Sequence, residues 1–392
     1  MQKILTLNQI ALQGLEQFPR DRYELGSSLP DPDGILLRSH KLTPDAVPVS
    51  VRGIARAGAG VNNIPVAAMT ERGVVVFNTP GANANSVKES VITALLLASR
   101  DVLGGVRYVY GLAGERDHAA LHAQVEAEKK RFKGGEIAGK TLGVVGLGAI
   151  GSLVAEAGLK LGMQVLGYDP AISVEGAWRL SSDVRKMDNL HSLLARSDYI
   201  TLHVPALEQT RQLISDETLA SVRPGAVLIN YARDEVVDPA AVVRALDAGQ
   251  LRRYIADFPD VNLLGRGDVI FTPHLGASTE EAETNCAIMA AEQLIDFMEN
   301  GNIRNSVNFP ALYLERSTPF RIAVSNHNVP RMLGSVLSIL AEHNINVVDM
   351  LNKSRDNIAY NLIDLEMPVN GTVLGEIEAI EGVINVRALE HG

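Results

Sequence analysis

Between residues 140 and 281 the chain repeats one unit. A short apolar run leads into a turn, a helical or loop segment follows, and another apolar run begins. Runs at 141–145, 164–168, 199–203, 226–230, 254–256 and 269–271 read as six strands joined by crossovers. Strands that are apolar along their whole length are buried on both faces, which calls for helices on both sides of a parallel sheet. The expectation is an α/β fold with a doubly wound, Rossmann-type parallel sheet, its ligand-holding loops at the carboxyl ends of the strands.

Shorter apolar runs at 4–7, 34–37, 54–57 and 74–77 predict a smaller α/β unit with parallel strands ahead of it. Residues 87–97 have the spacing of a buried helix, and 119–133 read as a charged surface helix or connector closed by Gly134-Gly135. A capping box, Ser278-x-x-Glu281, opens a helix that runs to about Asn300 and is ended by Gly301. Residues 305–319 read as a linker. Beyond it come a strand at 320–324, an amphipathic helix (Met332, Leu333, Val336, Leu337, Leu340) and two strands meeting at Asp356-Asn357. A short helix after Gly371 and a strand at 383–389 complete a β-α-β-β-α-β, ferredoxin-like order.

Composition narrows the function. A chain of 392 residues holds two or three domains of roughly 100–200 residues each. A formal charge of −10 argues against a general grip on nucleic acid through counterion release. The single cysteine, Cys286, excludes an intrachain disulfide and a Cys-based metal cluster, so no metal is expected and reducing surroundings fit. The start of the chain has no long apolar core, and the apolar stretch at 91–98 falls short of the roughly 20 residues that span a bilayer. The expectation is a cytoplasmic protein with neither membrane nor nucleic-acid partners.

Gly146-Leu-Gly148-Ala-Ile-Gly151 is a complete G-x-G-x-x-G that follows a strand, opens a helix, and precedes a second strand ending in Asp169, 18 residues past the last glycine. That context marks a dinucleotide site. Gly146 allows the tight turn, Gly148 the approach of a pyrophosphate, and Gly151 the packing of helix on strand. The helix N-terminus meets the phosphate charge. A carboxylate at Asp169 accepts from a ribose hydroxyl and repels a 2′-phosphate, which favours NAD over NADP.

A cofactor that takes or gives hydride at a hydroxyl-bearing carbon leaves the protein two tasks. One group exchanges the hydroxyl proton, and another orients the substrate. Histidine suits the first because its pKa lies near working pH, and arginine suits a carboxylate through its planar fork. His274 follows the last strand of the sheet, in Thr272-Pro-His-Leu-Gly-Ala-Ser-Thr279. Arg233 follows the 226–230 strand, and Asp257 ends the 254–256 strand. His203 competes with His274, since it also ends a strand, but a Val-Pro step after it suggests a turn.

The glycine fingerprint, the Asn230-Tyr-Ala-Arg233 and Thr272-Pro-His-Leu-Gly-Ala277 segments, and the Ala57-Gly-Ala-Gly-Val-Asn-Asn63 turn together resemble the D-2-hydroxyacid dehydrogenase family. With a C-terminal unit that looks like an ACT domain, the chain is similar to the family's phosphoglycerate dehydrogenases of the shorter, ACT-containing type. The resemblance implies a discontinuous, flavodoxin-like substrate domain (1–84 and 285–316), an NAD-binding Rossmann domain (85–284), a ferredoxin-like ACT domain (317–392) and a cleft beside the first. It implies that His274 exchanges the proton and that Arg233 binds the substrate carboxylate. Cofactor contacts are implied for Ala149, Ile150, Asp169, Tyr231, Ala232, Arg233, Asp257, His274, Leu275, Gly276 and Ala277. Asn83 and Ser86 match a family segment near substrate and cofactor, and Arg38-Ser39 matches a pair placed near a substrate phosphate. The implied reaction is oxidation of a phosphorylated 2-hydroxy acid by a homodimer or homotetramer. Reduction of glyoxylate or hydroxypyruvate, and a non-catalytic NAD-sensing role, are the alternatives.

Two departures stand out. The family pairs its histidine with a glutamate in Asp-x-Phe-x-x-Glu-Pro, whereas this chain has Asp257-Phe-Pro-Asp-Val-Asn262. Asp260 is the nearest carboxylate, read either as the replacement or as a solvated loop acid. In the ACT-like unit, Asn328 and Asn346 match relatives that bind serine, but Arg331 stands in place of a glycine. Binding of an amino-acid effector and a purely associative role both remain open there.

Overall fold

The computed structural model describes residues 1–390; His391 and Gly392, the end of the expected ACT-like domain, lie outside them. The chain divides into two compact units, residues 1–83 with 280–392, and residues 84–279.

In the first unit, strands β1 (Gln2–Leu7), β2 (Tyr23–Gly26), β3 (Gly34–Leu37), β4 (Gly53–Arg56) and β5 (Val75–Phe77) form a parallel sheet in the order β2-β1-β3-β4-β5. That order is the flavodoxin-like one. Strand β2 has no counterpart among the expected runs, because an edge strand reading Tyr-Glu-Leu-Gly with one buried residue carries little apolar signal. Helix Glu280–Asn300 contributes Ala287, Ala290, Leu294 and Phe297 to a core shared with Leu36, Ala55 and Phe77. It begins at Glu280 rather than at the capping box, and the Ser278 hydroxyl donates instead to the His274 carbonyl at 3.5 Å. The helix ends where expected, at Gly301 with φ +72°.

The stretch read as a linker is packed rather than free. Phe309 and Leu312 are 1% exposed, and the Asn308 amide accepts from Val76 N–H at 2.9 Å and donates to Val74 O at 2.9 Å. Strands β13 (Phe320–His327), β14 (Val347–Arg355), β15 (Ile358–Leu365) and β16 (Val383–Glu390) then form an antiparallel sheet in the order β14-β15-β13-β16. Helices Met332–Glu342 and Gly371–Glu378 cover one face through Val336, Leu340, Val373 and Ile377. This is the ferredoxin-like order. Arg321, with its side chain fully buried, pairs with Asp364 and donates to the carbonyls of Asn300 and Leu314, both at 3.0 Å.

The second unit carries β6 (Thr141–Val145), β7 (Gln164–Tyr168), β8 (Arg185–Lys186), β9 (Tyr199–Leu202), β10 (Ala226–Asn230), β11 (Leu251–Ala256) and β12 (Val269–Phe271). They are parallel, in the order β12-β11-β10-β9-β6-β7-β8, a Rossmann order with its reversal between β6 and β9. The two-residue β8 adds a seventh strand at the edge, too short and too charged to register in a hydropathy pattern. Helix Ala84–Ser99 packs Val87, Val91 and Leu95 on one face of the sheet against Leu142, Val144 and Val227. Full burial of a side chain such as Leu95 contributes roughly 1.5–3 kcal/mol. Helix Val102–Gly111, hidden in sequence by its glycines, and helix His118–Glu128 have no buried residues.

Register sets up the chemistry. Asn230 pairs with Ala256, and Ala256 with Phe271, so the loops that carry Arg233, Asp257 and His274 leave the sheet at one level.

Candidate active site

The glycine turn lies at the strand-order reversal. Gly146 has φ +89°, and a Cβ there would stand 2.5 Å from the His203 carbonyl oxygen. At Gly151 a Cβ would stand 1.9 Å from the Gly146 carbonyl oxygen, so both positions exclude a side chain. Gly148 differs: a Cβ there would meet nothing within 4 Å. Helix Ala149–Lys160 opens directly behind it, leaving the first-turn N–H groups of Ala149, Ile150 and Gly151 without intrahelical acceptors. Asp169, at the end of β7, accepts from Leu147 N–H at 2.8 Å and Ala171 N–H at 2.9 Å, which ties the acid to the turn.

His203 belongs to the floor of this turn. Its Nε2 meets Thr201 Oγ1 at 2.9 Å, and its Nδ1 is buried with no partner. Burial pushes its pKa down to about 3, so the ring is neutral at physiological pH and too weak a base to take a substrate proton. That removes His203 as an acid–base candidate.

A buried polar brace ties the three chemistry-bearing loops together. The Asn230 amide, 0% exposed, donates to the Arg233 carbonyl at 2.8 Å and accepts from Ala232 N–H at 3.0 Å. The Asn230 carbonyl accepts from Asp257 N–H at 3.2 Å, and the Asp257 carbonyl accepts from His274 N–H at 3.1 Å. The Asp257 carboxylate, in a residue 2% exposed, takes Thr272 Oγ1 and Leu275 N–H on one oxygen and Gly276 N–H at 2.7 Å on the other. Leu275 and Gly276 are thus held through their backbone. Ser86, from helix Ala84–Ser99, donates its hydroxyl to the Gly276 carbonyl at 2.9 Å. Tyr231 lies 3.5 Å from the Thr272 hydroxyl, and its own hydroxyl is pushed up in pKa by burial. Ala277 packs against the Tyr231 side of the sheet core, and Ala232 is buried on the other side.

The side chains the brace carries are left available. Arg233 donates Nη1 to the Ala232 carbonyl at 2.7 Å, and among the described residues no carboxylate pairs with it. His274 is exposed, takes a left-handed φ of +56°, and stands edge-on to Phe258 with ring centroids 5.0 Å apart. A non-glycine residue at positive φ is uncommon, and here the Asp257 hydrogen bonds on either side of His274 hold it.

Among the described residues no hydrogen bond or ion pair joins Asp260 to that imidazole. Its Oδ1 accepts from Asn262 N–H at 2.9 Å, and its carbonyl accepts from Leu263 N–H at 3.1 Å and Leu264 N–H at 3.0 Å. The shortened loop spends this acid on closing its own turn. The ring that faces His274 is Phe258.

Three expected substrate residues lie in the first unit. Arg38 follows β3; its carbonyl accepts from Arg56 Nε at 2.9 Å and its guanidinium pairs with Glu283 at 2.7 Å. Ser39 N–H donates to Asn8 Oδ1 at 3.1 Å. Asn83 is half-buried, at the boundary ahead of helix Ala84–Ser99.

Residues 109–276 match the model of the D-isomer specific 2-hydroxyacid dehydrogenase, NAD binding domain. A D-3-phosphoglycerate dehydrogenase of Methanocaldococcus jannaschii is 35% identical over 340 residues, 84% of this chain and 61% of that protein. The chain belongs to the D-isomer specific 2-hydroxyacid dehydrogenases. Another relative of the same name, from Rattus norvegicus, is 35% identical over 310 residues, 77% of this chain and 55% of its own length. The chain thus spans little more than half the length of these curated relatives. An NAD+-bound 3-phosphoglycerate dehydrogenase of Entamoeba histolytica superposes with a TM-score of 0.60 at 26% identity, over 79% of this chain and 99% of that one. A D-2-hydroxyisocaproate dehydrogenase shares the fold, with a TM-score of 0.63 at 24% identity over 78% of this chain and 99% of that one.

Residues 109–276, within the second unit, match the family's NAD-binding domain, and the residues there fit the cofactor. Open space at Gly148, unpaired N–H groups at the helix start and a carboxylate at the end of β7 suit a pyrophosphate and a ribose. Each Asp169 oxygen accepts one backbone bond and retains a lone pair for a ribose hydroxyl. Sequence reasoning did not single out Asn230 or Thr272. The available signal was an asparagine closing an otherwise apolar strand, Ala-Val-Leu-Ile-Asn, since a buried amide in that place must bond something.

Proposed function

We propose that the chain is an NAD-dependent dehydrogenase that oxidises D-3-phosphoglycerate at its hydroxyl-bearing carbon. The observation that carries this reading is the brace, in which Asn230 and Asp257 link the Arg233 and His274 loops, with no carboxylate paired to either side chain among the described residues. Arg233 holds the substrate carboxylate through its planar fork. His274 takes the hydroxyl proton on its imidazole as the carbon is oxidised, and returns one in the reverse direction. Bound NAD+ supplies the hydride acceptor. Asp257 and Ser86 are positioning residues, acting through the backbone around His274. Arg38 and Ser39 are assigned to the phosphate, and Asn83 to the substrate. Helices Val102–Gly111 and His118–Glu128, with Val109 53% and Tyr110 77% exposed, suit a contact with a second copy of the chain.

One observation favours a second reading. The Arg38 guanidinium already has a carboxylate on it, Glu283, which suits an unphosphorylated 2-hydroxy acid. The test is NADH formation at 340 nm with D-3-phosphoglycerate, D-glycerate and D-lactate. D-3-phosphoglycerate should have the highest kcat/KM. Turnover of the unphosphorylated acids alone would select the second reading, and no NADH with any of them would remove both.

A further inference from the structure

We infer that the first unit has a second anion site, a groove that takes a small phosphate-bearing molecule, formed where the segment before β4 meets strand β16. The cavity is about 600 Å³ and is lined by Arg52, Arg72 and Arg387, together with Asn385. Among the described residues no aspartate or glutamate lines it, in a chain whose formal charge is −10. Acidic residues outnumber basic ones overall, so a cavity whose charged lining among the described residues is three arginines goes against the composition.

The three arginines have hydrogen-bonding capacity to spare. Arg387 is a buried residue whose Nη1 has no partner. Its Nη2 donates to the Phe297 carbonyl at 3.2 Å, and its guanidinium lies 4.3 Å from the Phe297 ring centre. Burial lowers the pKa of this group, and the like charge of Arg52 adds to the effect. The Tyr360 hydroxyl, which shares a side-chain hydrogen bond with Arg387, and Asp33 act on it in the opposite sense. Tyr360 is neutral at physiological pH because burial pushes its pKa up, and the Asp33 carboxylate accepts from Lys3 N–H at 2.9 Å; neither lines the groove. Arg52 is exposed and makes no side-chain hydrogen bond or ion pair among the described residues. Arg72 donates to the carbonyls of Pro44 at 3.2 Å and Pro48 at 2.8 Å, which leaves part of its five-donor fork unspent. A buried charge left without a counter-ion is costly, and the missing counter-charge is what a ligand would bring.

The donor set selects the ligand class. One carboxylate is satisfied by a single guanidinium fork, whereas a phosphate dianion offers acceptors to several at once. The volume falls within the range of small-molecule pockets and exceeds what a bare ion needs, so the phosphate is one end of a larger molecule. Arg52 and Arg72 belong to the five-stranded part and Arg387 to the ferredoxin-like sheet, so a bound anion favours the state in which the two are docked.

The test uses the full chain carrying Arg38→Gln, with saturating NAD+, so that the proposed substrate phosphate site does not contribute. Inorganic phosphate is titrated by calorimetry at fixed ionic strength, with chloride as the control. Saturable binding that raises the melting temperature is expected. Arg52→Gln with Arg72→Gln should weaken it about ten-fold or more, while Arg52→Lys retains most of it. Unchanged circular dichroism and NAD+ affinity in the double variant show that the fold is kept. An equal effect from chloride, no saturable binding in the parent, or undiminished binding in the double variant would overturn the site.

Discussion

The two parallel sheets place arginines in equivalent positions and treat them differently. Arg233 follows β10 of the seven-stranded sheet, and Arg38 follows β3 of the five-stranded one. Both have their backbone held by buried or half-buried amides, Asn230 in one case and Asn63 in the other. The guanidinium groups part company there. That of Arg233 has no carboxylate partner among the described residues, while that of Arg38 pairs with Glu283 at 2.7 Å. Both members of the Arg38 pair are about two-fifths exposed, and an ion pair so solvated contributes roughly 0–1 kcal/mol. On the proposed assignment of Arg38, a substrate phosphate displaces Glu283 at little cost. The second unit therefore holds its chemistry ready, and the first unit keeps its arginine on a weak, exchangeable partner.

The largest effects should come from the braced side. His274→Gln removes the proton exchanger and should lower kcat by about 10³–10⁴, and Arg233→Gln should lower kcat/KM by about 10²–10³, both with NAD+ affinity retained. Steady-state kinetics with D-3-phosphoglycerate, beside NAD+ binding measured by fluorescence, checks both. Retained turnover in either variant would end the contrast between the two arginines.

Next in size is the brace itself. Asp257→Asn puts an N–H where Thr272, Leu275 and Gly276 all donate, so at least one donor is turned away. We expect a loss of about 2–4 kcal/mol of unfolding free energy and a fall in kcat of about ten-fold or more. Urea denaturation followed by kinetics would show it, and full stability in Asp257→Asn would mean that the loop is held by something else.

On the exchangeable side the effects should be smaller and opposite in sign. Arg38→Gln should raise KM for the phosphorylated substrate about ten-fold, whereas Glu283→Gln, which frees the guanidinium, should lower it about two- to three-fold. If both raise KM equally, Glu283 supports Arg38 rather than competing with a ligand. Smallest of all is Asp260→Ala. Because Asp260 closes its own turn and makes no contact with His274 among the described residues, the pH–rate profile should keep its midpoint and kcat should change less than about three-fold. A midpoint that moves to lower pH would bring Asp260 back as the partner of the imidazole.

Much of this was legible in the sequence, for a physical reason. Doubly buried strands have to be apolar along their length, so β6, β7, β9 and β10 stand out, and the glycine pattern marks a turn whose tight positions admit no Cβ. Edge strands carry no such demand, which is why β2 and β8 left no trace. That Arg233 and His274 stand in loops after strands was legible too. What holds them was not, because a brace such as Asn230 to Arg233, or Asp257 to Leu275 and Gly276, leaves no periodicity. The packing of residues 302–316 was hidden for a similar reason: Phe309, Leu312 and Arg321 secure that stretch through contacts distant in sequence. Arg331 is a further example. It stands in place of a glycine of serine-binding relatives, and it takes a left-handed φ of +76° at the start of helix Met332–Glu342, a conformation the arginine itself does not announce.

The most direct measurement compares NADH formation from D-3-phosphoglycerate in the unaltered chain, His274→Gln and Arg233→Gln at matched NAD+ occupancy. The account predicts turnover in the first and a loss of at least about a hundred-fold in each variant. Equal rates in all three, or an unaltered chain that binds NAD+ yet oxidises no 2-hydroxy acid, would contradict it.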